Sequence, residues 1–383
     1  MPWVDENRLD DVAALAALDT RDTLRWLASA GAQVRRAVVA AQEAGVERVA
    51  GGERPRSVLV AALGGSGIVG DVLDLLAEPG SPVPVSARRD APLPGWVGPL
   101  DLVIAVSQSG RAAGPLALAA EAARRGASLL TVGAADSPLA EVCARARGVH
   151  VEVALAAPSS RTALWSLLTP VLVAADALGL AAAPPAVLDA VADVLDEVAE
   201  ECRPSSDAFV NPAKVLATGL DGTVPVVLGD GALTGVAACR AAQMLSRTAR
   251  VPATHGALPD AAASVVATLD GPFGSGLGAA PTGERDIFAD PYLDGPALPR
   301  LGLLALRDPA LEPAGAALAE AVLGSARESG AVVLEHEARA GHPVERFASL
   351  VGLTDFAATY LALGLGLDPS VSRHVTDLRD RTS

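Results

Sequence analysis

Apolar residues form two different patterns along this chain. From Leu9 to about residue 50 they recur at spacings of three and four, which predicts a helical segment at 1–50. Beyond it, short and wholly apolar runs such as 57–63 and 101–106 alternate with stretches of helical period. Strands that are apolar on both faces are typical of a parallel sheet covered by helices on each side. The pattern therefore predicts an α/β fold.

This alternation of predicted strands and helices occurs twice. The segments SVLVAALGGSGIVGD and TVPVVLGDGALTGVA open the two series in the same order of strand, glycine turn and helix, which indicates an internal repeat. We expect two doubly wound domains, at 51–202 and 203–383, each a mostly parallel sheet flanked by helices. The predicted strands are 57–63, 83–87, 101–106, 128–132 and 149–155, then 223–228, 263–269, 301–306 and 331–335.

Two long helices and one long loop complete the prediction. The helices, at 162–178 and 344–364, are rich in alanine. They carry more apolar surface than two small sheets would cover in a monomer, so we expect a homodimer. Residues 271–300, by contrast, are rich in Gly and Pro and show no period. Loops of this length in compact domains are commonly functional.

The charge of the chain narrows the classes of partner. The 383 residues carry a formal net charge of −15. Such a surface repels phosphate backbones, which disfavours nucleic-acid binding through counterion release. A small anionic ligand is compatible with this charge only if local donors capture it against the overall field.

Cysteine usage and hydropathy indicate the compartment. Cys143, Cys202 and Cys239 lack CxxC spacing and are odd in number, so they predict neither a zinc site nor a disulfide framework. The N-terminus lacks a signal-peptide pattern, and polar residues and a proline interrupt the most apolar stretch, 164–183. We expect a cytoplasmic protein without membrane contact, and no metal or cofactor is indicated.

The strongest candidate site is Ser107-Gln108-Ser109-Gly110, between a predicted strand and a predicted helix. Hydroxyls, backbone amides and the positive end of a helix dipole meet where a parallel strand ends, which suits a phosphate or a carboxylate. The alternative is an ordinary N-cap, in which Ser109 only caps the following helix.

A second motif, Gly64-Gly65-Ser66-Gly67, has the same strand–turn–helix context. It departs from the dinucleotide pattern GxGxxG, and no acidic residue stands at the distance expected for a ribose contact. Its alternative is a tight turn whose glycines serve packing. Both motifs end strands of one predicted sheet, where open α/β folds bind ligands.

Together the two motifs resemble the phosphosugar-binding domain of the sugar isomerase (SIS) family. Similar segments follow in order along the chain, namely PSSRTAL at 158–164, NPAK at 211–214, RVPATHGALPD at 250–260 and the C-terminal segment from Phe347. The combination resembles the bifunctional phosphoglucose/phosphomannose isomerases, in particular an actinobacterial mannose-6-phosphate isomerase-like branch. The resemblance covers roughly residues 30–380.

The resemblance implies a homodimer that binds a hexose phosphate, such as glucose 6-phosphate or mannose 6-phosphate, and isomerises it without a cofactor. It implies Arg161 as the arginine that faces the substrate near the reacting carbons; the alternative is a surface arginine at a helix N-terminus. The residues that it implies as holding the phosphate are Gly65, Ser66, Ser107, Ser109 and Gly110.

Several positions depart from the family pattern. In the family the serine motif continues with a threonine, whereas here Arg111 and Ala112 follow Gly110, so that hydroxyl is lost. Arg111 either contacts the anion in its place or points to solvent. The glutamate that moves the proton between C1 and C2 is missing from Ala262-Ala263-Ser264-Val265. Where the family has its ring-opening histidine, this chain has Arg307-Asp308. Where the family has its C-terminal lysine, this chain has Arg379, whose guanidinium keeps its proton at neutral pH.

Isomerisation of an aldose to a ketose needs a base that takes a proton beside a carbonyl group and returns it. Candidates for this base are Glu284 and Asp286 in loop 271–300, and His374 near the C-terminus. His255 and His342 are further candidates, with an exposed loop histidine and a helix-cap histidine as their ordinary alternatives, whereas His150 and His336 are expected to be structural.

Two functions of different class remain open. The first is a phosphosugar isomerase with altered catalytic residues. The second is a non-catalytic hexose-phosphate sensor, or a regulatory partner of a sugar isomerase. A nucleotide-dependent oxidoreductase is disfavoured, because the carboxylate that would hold the ribose is missing.

Overall fold

The computed structural model describes residues 3–77, 79–153, 157, 159–274 and 299–382. Its strands are β1 (Val58–Ala62), β2 (Val85–Arg88), β3 (Leu102–Ser107), β4 (Ser128–Gly133), β5 (Val149–Glu152), β6 (Thr223–Gly229), β7 (Thr254–Ala257), β8 (Arg300–Arg307) and β9 (Val332–Glu337). Its helices are α1 (Glu6–Asp10), α2 (Val12–Leu18), α3 (Thr23–Ala28), α4 (Ala30–Ala44), α5 (Ile68–Ala77), α6 (Ala113–Arg124), α7 (Pro138–Arg145), α8 (Leu164–Ala177), α9 (Pro185–Glu201), α10 (Pro212–Gly219), α11 (Ala232–Met244), α12 (Ala262–Leu269), α13 (Pro313–Glu328), α14 (Pro343–Gly364) and α15 (Arg373–Thr382).

The chain divides into two compact units. One comprises residues 21–200 and 342–348 and contains β1 to β5; the other comprises 1–20, 201–341 and 349–383 and contains β6 to β9. We call them the β1–β5 unit and the β6–β9 unit. The N-terminal helical segment is shared between them, since α1 and α2 belong to the β6–β9 unit and α3 and α4 to the β1–β5 unit.

The sheet of the β1–β5 unit is parallel, with the strand order β2-β1-β3-β4-β5. The central strands β1 and β3 are buried along their whole length. Helices α6 and α7 pack on one face through a cluster of aliphatic residues, and α5 and α8 cover the other. This double cover explains why these strands read as continuous apolar runs.

The sheet of the β6–β9 unit is also parallel, with the strand order β7-β6-β8-β9. Helices α12 and α13 pack on one face of it, and α11 packs against β6 and β7. The predicted fold class, doubly wound α/β with mostly parallel sheets flanked by helices, is confirmed.

The two sheets repeat one topology. In each sheet, the second strand in chain order, β2 or β7, lies at the edge. The third strand, β3 or β8, lies on the other side of the first strand, β1 or β6. The first helix of each series approaches the edge strand through a glycine. A Cβ on Gly70 would lie 2.8 Å from Ala87 Cβ, and one on Gly235 would lie 2.5 Å from Ala257 Cβ. The internal repeat therefore extends to the packing of helix on strand.

Residues 263–269 are helical, and the prediction of a strand there is wrong. The β-branched residues suggested a strand, but α12 buries Val265 and Leu269 one turn apart and exposes Ala267 and Thr268 between them. The strand beside β6 is instead β7, in a segment where no strand was predicted. Burial of an i, i+4 stripe against the sheet outweighs a β-propensity that depends strongly on context.

The two long alanine-rich helices are core helices. By length and composition α14 could span a membrane, although the sequence was not expected to contain such a segment. However, 94% of the most apolar 18-residue stretch of this helix is buried within the chain. Most of α8 is buried as well. Their apolar surface is covered within one chain, so this argument for a homodimer is wrong. The homodimer itself stays a prediction.

One buried carboxylate joins the starts of the two central strands. Asp101, just before β3, is 1% exposed. Its oxygens accept hydrogen bonds from Arg56 Nε at 3.0 Å and Nη2 at 2.6 Å, from Ser57 Oγ at 2.7 Å and from Gly98 N at 2.8 Å. Burial by itself would raise the pKa of Asp101, but these donors outweigh it and hold the pKa below its usual value.

We expect Asp101→Asn to lower the free energy of unfolding by about 1–3 kcal/mol at pH 7, because charge-assisted hydrogen bonds are lost from a buried site. Since the folded pKa is depressed, this contribution is present above the unfolded pKa, about 4, and is lost as the pH falls through the folded value. Urea denaturation of both proteins from pH 7 to pH 3 measures it. The control is Asp136→Asn at an exposed position, and a difference that stays constant with pH would contradict the assignment.

Candidate functional site

The two predicted motifs lie side by side in the β1–β5 unit. β1 and β3 are neighbours, with Ala62 paired to Val106, so the turns that follow these strands start next to each other. The chain passes from β1 to β2 on one side and to β3 on the other, which makes this pair the point where the strand order reverses. Open α/β sheets bind ligands at such a crevice.

The Ser107–Gly110 turn places two hydroxyls at this crevice. Ser107 is buried and Ser109 is exposed. Ser107 Oγ accepts from Ala112 N at 3.4 Å, and Ser109 Oγ accepts from Arg111 N at 3.3 Å. Each hydroxyl acts as an acceptor here and so still has a hydrogen to donate to an anion. The N-cap residue of α6 is Ala112, so the interpretation of Ser109 as its simple N-cap does not hold.

The glycine turn after β1 makes close contact with the segment that carries Arg161. Gly64–Ser66 form a 3₁₀ turn, in which the buried Ser66 donates from Oγ to the Leu63 carbonyl at 2.9 Å. A Cβ on Gly65 would lie 2.7 Å from Ser160 Oγ and 3.2 Å from Arg161 Cγ. A glycine at 65 thus lets Arg161 pack directly on the predicted phosphate turn.

Two side-chain amides hold the Arg161 segment in place. Gln108 Nε2, from the turn after β3, donates to the Ala157 carbonyl at 2.9 Å. Gln33 Nε2, which is buried on α4, donates to the Thr162 carbonyl at 2.9 Å. The backbone on either side of Arg161 is therefore fixed by different elements. Sequence reasoning did not find this role, because a lone glutamine in an amphipathic helix forms no motif.

Arg89 is a further cation at these turns that sequence reasoning missed. It follows β2, and a Cβ on Gly67 would lie 2.2 Å from its Nη1. Its Nη2 donates to both carboxylate oxygens of Asp71, at 3.2 and 3.1 Å. The available signal was a charged pair, Arg88-Arg89, at the carboxyl end of a predicted strand.

The corresponding turn of the second repeat is shorter and is filled by a carboxylate of the chain. Only residues 230–231 join β6 to α11, whereas residues 63–67 join β1 to α5. Buried Asp230 accepts from Asp308 N at 3.0 and 3.2 Å, from Thr234 Oγ1 at 2.9 Å and from Arg307 Nε at 3.2 Å. Burial raises the pKa of Asp230. These donors already face an anion, so the turn offers little to an external phosphate.

The positions where family catalytic residues were expected hold other groups. α12 carries no carboxylate over Ala262–Val265. Arg307, where a ring-opening histidine was expected, bonds to the carboxylates of Asp230, Glu320 and Glu335. Its guanidinium is thus held by acidic groups of its own unit.

The candidate bases are placed as follows. Glu284 and Asp286 lie outside the described residues, and His374 is exposed on α15 in the β6–β9 unit. His342 Nδ1 accepts from Val344 N at 3.3 Å at the start of α14, as expected of a cap. His255 is exposed on β7, and burial lowers the pKa of His336 to about 4. The proposed roles of Glu284, His374 and Arg161 stay predictions.

Comparison with known proteins identifies the domain type. Residues 209–382 match the family described as the bacterial phosphoglucose isomerase C-terminal SIS domain. Over these residues the chain is similar to an SIS domain. The bifunctional phosphoglucose/phosphomannose isomerase of Caldicellulosiruptor bescii is 29% identical to it over 196 residues, which are 51% of this chain and 57% of the relative. The chain therefore aligns with little more than half the length of that curated relative.

Solved structures extend the similarity of fold to most of the chain. A glucose-6-phosphate isomerase-like protein from Thermus thermophilus has a TM-score of 0.54 at 17% identity, covering 97% of this chain and 98% of the other. The C-terminal domain of glucosamine-fructose-6-phosphate aminotransferase from Francisella tularensis has a TM-score of 0.61 at 13% identity, covering 91% and 97%. At these identities the similarity shows that the chain shares their fold.

We expect Gly110→Ala to distort the turn after β3. Gly110 has φ +63°, and a Cβ there would lie 2.1 Å from Ser137 Oγ. Strained backbone of this kind costs about 1–3 kcal/mol, which should appear as a lower free energy of unfolding. Urea denaturation measures it, with Gly80→Ala as the control, because a Cβ on Gly80 meets open space. Equal stability of the two variants would contradict this account of the turn.

Proposed function

We propose that this chain is an SIS-domain protein throughout and binds a hexose phosphate at the carboxyl ends of β1 and β3. In this proposal it is a phosphosugar isomerase, of the glucose-6-phosphate/mannose-6-phosphate type, with altered catalytic residues. The observation that carries the proposal is the packing of Arg161 on Gly65, because it joins the glycine turn, the serine turn and a cation at one crevice.

Each part of this crevice has a role in the proposal. Ser107 and Ser109 donate hydroxyl hydrogens to the phosphate, with Gly65, Ser66 and Gly110 shaping the turns around it. Arg111 is exposed beside the serine turn and contributes positive charge. Such local charge is required, because the chain as a whole carries −15 and its overall field repels a phosphate.

A second candidate function is a non-catalytic hexose-phosphate sensor or a regulatory partner of a sugar isomerase. The absence of a carboxylate from Ala262–Val265 and the ion pairs of Arg307 favour it. Both candidates require the same phosphate site and differ only in whether a proton moves between C1 and C2 of the sugar.

We also propose a cytoplasmic homodimer. Support for the dimer comes from an exposed apolar group near the start of α10, where Phe209, Val210 and Val215 are 80%, 64% and 43% exposed. Apolar side chains clustered in this way are typical of association surfaces.

The phosphate site is tested by Ser109→Asp. A carboxylate in place of this hydroxyl would stand against the anion, so affinity for fructose 6-phosphate should fall below detection by isothermal titration calorimetry. Ser109→Ala should weaken binding by only about tenfold, the loss of one hydrogen bond to a charged group. Ala120→Asp adds the same charge at an exposed position of α6 and serves as the control. Unchanged affinity in Ser109→Asp would show that the site lies elsewhere.

The catalytic question is tested by deuterium exchange at C2 of glucose 6-phosphate and mannose 6-phosphate. Loss of a positioned base slows proton transfer by about 10²–10⁴-fold, so the expected exchange is slow or undetectable despite measurable binding. Slow but measurable exchange fits the isomerase with altered catalytic residues, whereas no detectable exchange despite binding favours the sensor. Brisk exchange that disappears in Glu284→Gln or Asp286→Asn favours the isomerase with a relocated base. Brisk exchange in both variants would mean that the base is another residue.

A further inference from the structure

Arg89 has a position that the family resemblance did not indicate. It lies directly after β2, the edge strand, and its backbone passes the start of α6, since a Cβ on Gly114 would lie 2.1 Å from the Arg89 carbonyl oxygen. Its side chain reaches the start of α5, where Nη1 stands over Gly67. One residue thus contacts the first turn of both helices that follow the phosphate motifs.

The guanidinium is oriented by a carboxylate. Both carboxylate oxygens of Asp71, in the first turn of α5, accept hydrogen bonds from Arg89 Nη2. The side chain of Arg89 is 49% exposed and that of Asp71 is 25% exposed. This contact uses Nη2 and leaves Nη1 on the side of Gly67 and the glycine turn. The half-exposed guanidinium is therefore fixed in direction and still accessible to a ligand.

We propose that Arg89 is a phosphate-binding residue of this site, and that Asp71 positions it. The inference rests on the proposed function and deepens it, because it adds to the predicted serines a cation supplied by the edge strand. Arginine forms charge-assisted hydrogen bonds to phosphate oxygens in a planar geometry that lysine does not reproduce. Together with the start of α5, it would hold the phosphate group and not the sugar hydroxyls.

The test uses Arg89→Ala with Arg88→Ala as its matched control. Adjacent residues of a strand face opposite sides, and Ala87 faces α5, so Arg88 faces away from the site while carrying the same charge. Arg89→Ala should raise the Kd of fructose 6-phosphate and of inorganic phosphate about ten- to hundredfold, as expected for hydrogen bonds to a charged group. Arg88→Ala should change either Kd less than about threefold, since it alters only a screened surface charge. Arg89→Lys should lie between Arg89→Ala and wild type.

Asp71→Asn separates positioning from general electrostatics. Removal of a negative charge near an anion site should by itself strengthen binding, whereas loss of the positioning contact should weaken it. We expect a Kd about three- to tenfold higher, as for the loss of one interaction that orients a ligand group. Tighter binding in Asp71→Asn would overturn the positioning role.

The outcomes distinguish this inference from the proposed function. Equal effects of Arg89→Ala and Arg88→Ala, or no effect of Arg89→Ala while Ser109→Asp abolishes binding, would overturn the role of Arg89 and leave the phosphate site standing. A wild-type protein that binds neither fructose 6-phosphate nor inorganic phosphate would overturn the proposed function and this inference together. Thermal unfolding of Arg89→Ala should stay within about 2 °C of wild type, because exposed ion pairs add little stability.

Discussion

The candidate site depends on the close approach of backbone at the ends of two parallel strands. β1 and β3 end next to each other, and each is followed, after a short turn, by a helix on its own face of the sheet. Side chains that reach this edge from other elements then lie against the turns themselves. A Cβ at Gly65 or Gly67 would occupy the space of Arg161 or Arg89, so these glycines determine which groups surround an anion.

The same constraint has a different outcome in the second repeat. Both sheets have the same strand order, but the turn after β6 is three residues shorter than the turn after β1, as 230–231 stands against 63–67. The short turn places the Asp230 carboxylate among donors that include the Asp308 amide and Arg307. In the proposed site, the first repeat leaves its donors accessible. The second repeat satisfies its donors within the chain, which is the ordinary requirement for buried polar groups.

Binding of an anion and transfer of a proton at carbon require side chains with different acid–base properties. An anion site in a chain of net charge −15 needs several local donors, and Arg89, Arg111 and Arg161 lie on segments that meet at the crevice. Proton transfer at carbon needs instead a group that exchanges its proton near neutral pH. Guanidinium does not do this, so additional arginines strengthen binding without supplying the base.

The sequence by itself determined the fold class, the repeat and the position of the glycine and serine turns after β1 and β3. Each of these rests on local information, namely wholly apolar runs for buried strands and glycine or serine turns directly after them. It was wrong at 263–269, because Val265 and Leu269 gain more from burial against the sheet than their neighbours gain from β-propensity. Only the tertiary structure decided which residues join the turns. Strand order places Arg89 beside the glycine turn, and the packing of α4 places Gln33 against the Arg161 segment. No local pattern in the sequence encodes either contact.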